Sequence, residues 1–280
     1  MKILHDDTER FINLITFTAI HFRIMPAFIE KDYWITLLLN RLSKSINVKN
    51  AVFKGGTSLS SGLKEIVEPE ITSKGSMFRK SLFGFPTIIE NSNIPNRVIV
   101  EINAFANPYP FVQQQINSFI TDFLVETNRN DLLEEYNLYP FSLNVLDKRR
   151  TMIEKLVSLV RFSFLENPTQ AIAGKIRHFY DLYYLAQDAE CTEYIQSTQF
   201  KTDFSELLAH DKEAFDTPEG WRTKEIAESP LVTNFPTLWE SLRTVYQNEL
   251  TQLAFSGMPK EEEIAQSFER MINYIHGHDK

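Results

Sequence analysis

The stretch AVFKGGTSLS, residues 51–60, decides how the chain is read. A short apolar run, Ala51 to Lys54, enters two glycines, Gly55 and Gly56, and then a cluster of hydroxyls. Glycines permit close backbone approach, free N–H groups at the start of a following helix face an anion, and Thr57 and Ser58 add donors. Such a loop can cradle phosphates. From these residues alone, a plain chain reversal with Thr57 or Ser58 capping the helix is an equally good reading. It is not a Walker loop, because G-x-x-x-x-G-K-[ST] is absent.

Working outward, amphipathic patterns at about 7–23 and 29–46 predict two helices before the strand at 51–54, with Ile35, Leu38, Leu39 and Leu42 at helical spacing. Ser58 to Ile66 is expected to be the helix that the glycines open. Residues 67–81, with Pro69 and Gly75, read as a loop. LFGFPTII (82–89) and RVIVEINAF (97–105) read as strands, the second with Val98, Val100 and Ile102 on one face and Ile99, Glu101 and Asn103 on the other. After Pro108 and Pro110, helices are expected at about 112–126 and 130–136, then a strand at 141–146. Thr151 followed by Glu154 fits a capping box that opens a helix, which Asn167-Pro168 ends. A second helix at about 169–188 and three or four more with acidic outer faces complete the chain. The expected fold class is α+β: a mixed α/β domain over residues 1–150 and an all-helical one over 151–280.

The net charge of −8 argues against general polyanion binding, but the sign is uneven. Residues 1–100 hold 13 Lys/Arg against 9 Asp/Glu, and residues 201–280 hold 8 against 15. A phosphate-bearing ligand is therefore expected at the N-terminal half or at local basic clusters such as Lys148, Arg149 and Arg150. The one cysteine, Cys191, forms no internal disulfide, and no Cys/His pair has zinc-finger spacing. The start, MKILHDDTERF, is unlike a secretory signal, and no run approaches about 18 apolar residues. The expectation is a soluble, cytoplasmic protein without a membrane span.

Three further residues could carry chemistry. Glu101 lies mid-strand between apolar neighbours, where it could hold a divalent cation or simply face outward from a one-sided sheet. Lys155, among Met152, Leu156 and Leu159, could neutralise phosphates in a transfer reaction. Asp181 could act in the same site or merely pair with Arg177 one turn away, and the spacing alone favours these structural roles for both. The run Phe179, Tyr180, Tyr183 and Tyr184 reads as core more readily than as a base-stacking platform.

Taken together, EKDYW (30–34), FKGGTSLS (53–60), VIVEI (98–102), EKLVSLVRF (154–162) and RHFYDLYYL (177–185) resemble, in order, the abortive-infection AbiEii/AbiGii-type toxin family. That family is a branch of the polymerase-β-like nucleotidyltransferases. The resemblance spans about residues 25–190. It implies a small mixed sheet carrying the active site, with a helical region closing over it. It also implies Mg²⁺-dependent transfer of a nucleotide from an NTP to an acceptor, the 3′ end of tRNA in related toxins, and a separately encoded antitoxin. Gly55, Gly56, Thr57 and Ser58 match the motif that approaches the triphosphate, and Glu101 the third carboxylate of the metal triad. Lys155 and Asp181 match the Lys and Asp of the two helical motifs, the first contacting phosphates, the second orienting it or the acceptor.

At one place the sequence departs from the family. After the Gly-Gly helix the family continues into a strand bearing an Asp-x-Asp pair, typically within RFSEDID, which supplies the first two metal ligands. Here Leu63-Lys64-Glu65-Ile66 passes to Val67-Glu68-Pro69-Glu70 and no Asp-x-Asp follows. Glu68 and Glu70 have the spacing, but a proline between them denies a central strand its ladder bond. Either the chain has lost the pair and is a catalytically inactive module that binds a nucleotide or a protein partner, or a stretch near residue 66 is missing from the 280 residues. The intact remainder of the motif series favours the second, and with it an active enzyme.

Overall fold

The computed structural model describes residues 2–45, 49, 51–53, 64–66, 73–74, 78–90, 92, 94–104, 107–250 and 258–277. The chain divides into two compact units, Met1–Asp147 and Lys148–Lys280. Among the described residues the first holds four helices and two small antiparallel sheets, and the second is helical.

In the first unit, α1 (Thr8–Phe22) and α2 (Pro26–Ser43) form where the 3.6-residue pattern predicts them. Asp7 caps α1 by accepting the Arg10 N–H. Strands β1 (Lys64–Ile66) and β2 (Ser73–Lys74) pair with one edge of β3 (Phe78–Gly84), and β4 (Arg97–Asn103) pairs along the whole of the other. The expected helix end at 64–66 is therefore a strand, and part of the expected 67–81 loop is β2 and β3. β3 stops two residues before Pro86, which has no N–H to continue the ladder. On β4, Val98 and Val100 point inward and Ile99 and Glu101 outward, as the alternation predicts, but Ile102 is 52 % exposed because the burial pattern lapses at the strand end.

The second sheet pairs β5 (Phe111–Ile116) with β6 (Phe141–Leu146). Residues 111–116 contradict the helix expected from about 112: Gln113–Gln115 tolerate either state, and the ladder to β6 decides. The helix there is shorter, α3 (Phe119–Glu126), followed by α4 (Asn130–Tyr136). Of the strand expected at 51–54, Lys54 lies outside the described residues, and Phe53 makes an isolated parallel bridge to β6. Its N–H donates to the Asn144 carbonyl at 2.8 Å, and its own carbonyl accepts from the Leu146 N–H at 3.0 Å.

The core of this unit gathers α1, α2, α3 and the inner face of β3 and β4 around Trp34, which stacks on Phe85 at 5.6 Å. One turn of α2 braces its surroundings. Glu30, 2 % exposed, accepts from the Thr87 hydroxyl at 2.6 Å and the Ile88 N–H at 2.8 Å, which fixes the segment after β3. Asp32 accepts the Phe119 N–H at 2.8 Å at the start of α3, a position whose orphan donors favour an acceptor. Burial outweighs that bond and pushes the Asp32 carboxyl up to about 7.

The second unit runs α5 (Lys148–Ser163), α6 (Pro168–Ala173), α7 (Ile176–Leu185), α8 (Ala189–Ile195), α9 (Thr198–Ala214), α10 (Pro230–Thr233), α11 (Phe235–Leu250) and α12 (Glu261–His276). α5 begins one turn before the expected cap, so Thr151 lies inside the helix and Glu154 pairs with Arg150 at 3.3 Å instead of closing a capping box. The helix expected at 169–188 breaks at Gly174, a weak helix former, into α6 and α7. Phe179 centres this core, with Phe268 at 4.8 Å and Trp239 at 5.3 Å. Cys191 is buried and forms no disulfide.

Candidate active site

Gly55, Gly56, Thr57 and Ser58 lie outside the described residues, as do Glu68, Pro69 and Glu70. What is described is the approach to the glycines: Phe53 is clamped to β6, which ends at Leu146, two residues before α5 begins.

Glu101 stands on the outer face of β4. It is paired across the ladder with Lys80 of β3, Nζ to Oε1 3.6 Å, and its side chain is 55 % exposed. No group of three or more His, Cys, Asp or Glu able to hold a metal occurs among the described residues.

Lys155 and Asp181, 26 residues apart in sequence, meet. Helical spacing sets Lys155 on α5 beside the buried Leu156 and Leu159, and Asp181 on α7 beside the buried Leu182, so packing of the two helices carries the side chains together. Lys155 Nζ donates to Asp181 Oδ2 at 2.6 Å. The partner of Asp181 is thus Lys155, where the spacing alone favoured Arg177, and the outer face of α7 keeps Arg177 exposed. Both members of the pair remain accessible, at 21 % and 42 % of their side-chain surface.

One turn before Asp181, His178 is half-buried beside this pair. Burial first, and then the positive charges of Lys155 and Lys175, push its imidazole down to about 3, so it stays neutral near pH 7. Sequence reasoning passed over His178; its three-residue spacing from Asp181 on one helix was the available signal. The aromatic run divides: Phe179 is core, whereas Tyr184 is 38 % exposed and lies against Tyr180 at 4.8 Å. Burial, with the Tyr184 hydrogen bond second, pushes the Tyr180 hydroxyl up to about 12.

The basic cluster at 148–150 is largely committed. Lys148 pairs with Asp188 at 2.7 Å and Glu190 at 3.1 Å, and Arg150 with Glu154. In EKLVSLVRF, Arg161 packs over the Phe215 ring at 4.0 Å and lies 3.5 Å from Asp211. EKDYW likewise does framework work through Glu30, Asp32 and Trp34. No single helix among the described residues is long and apolar enough to cross a membrane.

No curated protein and no solved structure matches the chain significantly. A family model described as nucleotidyl transferase AbiEii toxin, type IV TA system, matches residues 61–270, a span that takes in Glu101, Lys155 and Asp181 and begins after the Gly-Gly loop. A match over most of the chain makes this chain a member of the AbiEii nucleotidyltransferase toxin family.

Proposed function

We propose that the protein transfers a nucleotide from an NTP to the 3′ end of tRNA, as the cytoplasmic toxin of a toxin–antitoxin system that works by abortive infection during phage attack. The observation that carries this reading is the Lys155–Asp181 pair, an accessible cation held at 2.6 Å by a carboxylate on a second helix. In the transfer, a new bond forms between the acceptor hydroxyl oxygen and the α-phosphorus. The bond from that phosphorus to the β-phosphate oxygen breaks, pyrophosphate leaves, and the hydroxyl proton passes to solvent. Lys155 offsets charge on the phosphates, and Asp181 holds its ammonium in place, which is the electrostatic work such transfers chiefly need. Gly55, Gly56, Thr57 and Ser58 receive the triphosphate through the backbone. A cognate antitoxin is the partner that the family implies.

Mg²⁺ is the cation expected of such a reaction. Among the described residues Glu101 faces Lys80 and belongs to no cluster of carboxylates able to make a divalent site. A second reading draws on the same observation together with the missing Asp-x-Asp: a module that binds a nucleotide or a protein partner without turnover.

Incubation of the protein with each labelled NTP, total tRNA and Mg²⁺ distinguishes the two. Transfer of label to tRNA is expected. Nucleotide binding without transfer from any NTP would overturn the enzymatic reading in favour of the second.

A further inference from the structure

Helix α7 lines a cavity on the side away from Asp181. At about 100° per residue, Tyr183 and Ala186 lie roughly 200° and 140° around the helix from Asp181. There they line a cavity of about 470 Å³ bounded by the end of α7, by α8 and by α12. That volume falls within the range of small-molecule sites.

Several of its polar groups keep bonding capacity beyond the contacts they make. Ser267 of α12 lines the cavity, is 4 % exposed, and makes no hydrogen bond to a described residue. Arg270, one turn on, uses Nε on the Gln266 carbonyl of its own helix at 3.3 Å, and no described carboxylate pairs with its guanidinium. The terminal nitrogens of that fork are left for an anion. Glu263, on the same wall, accepts from the Tyr183 hydroxyl at 3.3 Å and has no cationic partner among the described residues. Tyr274 is tethered through its hydroxyl to the Gln196 carbonyl at 3.0 Å, which fixes a ring as part of the wall beside the Gln196 carboxamide.

We propose that this cavity binds a nucleoside monophosphate. A single guanidinium suits one phosphate group, and the nearby Glu263 carboxylate would repel a triphosphate while accepting from ribose hydroxyls. Tyr183 and the face of Tyr274 turned away from the Lys201 ammonium, which covers the other at 4.1 Å, supply stacking surface for a base, and carboxamides supply donors and acceptors for its edge. The site uses none of the residues assigned to nucleotide transfer and stands or falls separately from it.

Isothermal titration of the full-length protein with AMP, GMP, CMP and UMP tests this. At least one should bind with one-to-one stoichiometry. Arg270→Gln and Gln196→Leu should each weaken it, the first by about tenfold or more for a lost charge-assisted bond, while thermal unfolding of the exposed Arg270 variant stays as in the wild type. Lys155→Ala should leave it unchanged. The proposal is overturned if none of the four binds at millimolar concentration, if both cavity variants bind like the wild type, or if Lys155→Ala removes the binding.

Discussion

Lys155 and Asp181 are accessible enough that their ion pair contributes little to folding, about 0–1 kcal/mol for a pair of this exposure. Lys155→Ala and Asp181→Ala should therefore cut label transfer by about a hundredfold or more, as loss of an electrostatic contact to a transferring group does, with the thermal midpoint nearly unchanged. A variant that instead unfolds early would assign the pair a structural role. Asp32 makes a different kind of prediction. Its carboxyl is raised from 3.8 to about 7, so the folded state holds a proton that the unfolded chain has released. This contribution is fully present below pH 3.8 and is lost as pH rises through about 7. Urea unfolding of Asp32→Asn across that range should lack a slope of up to about 1.4 kcal/mol per pH unit that the wild type shows, and parallel curves would refute the assignment.

Elements were legible where one pattern dominated. The amphipathic period gave α1 and α2 to within a few residues, and the alternation in RVIVEI gave β4 and the outward face of Glu101. They were illegible where pairing across the fold competed with local preference: Gln113–Gln115 join a ladder, and Lys64–Ile66 line the edge of β3 instead of ending a helix. The meeting of Lys155 with Asp181 needs the packing of α5 against α7, which no spacing within either helix specifies. The α6–α7 break yields a prediction at this scale. Gly174 has right-handed helical backbone angles, φ −64° and ψ −7°, and a Cβ there would meet its nearest atom, the Ala171 carbonyl oxygen, at an ordinary 3.5 Å. Gly174→Ala should raise stability by about 0.4–1 kcal/mol, visible as a higher thermal midpoint, because it restricts the unfolded chain without straining the folded one.

At the scale of the molecule, among the described residues the aromatic core around Phe179 is built from residues after Lys148, and the core around Trp34 from residues before Asp147. A fragment of residues 148–280 should accordingly show a cooperative thermal transition of its own and no transfer activity. A fragment without a transition would show that its core needs the first unit.

The single turn of α2 that holds Glu30 and Asp32 has a practical consequence for genetics. Each carboxylate secures a different piece of backbone, Ile88 in one case and Phe119 in the other. A screen that scores survival of cells expressing a harmful protein would recover substitutions at these positions beside true active-site losses, since less folded protein also means less harm. Measuring the amount of soluble protein for each surviving clone separates the two, and Glu30 and Asp32 are the positions at which abundance should fall while Lys155 and Asp181 variants accumulate normally.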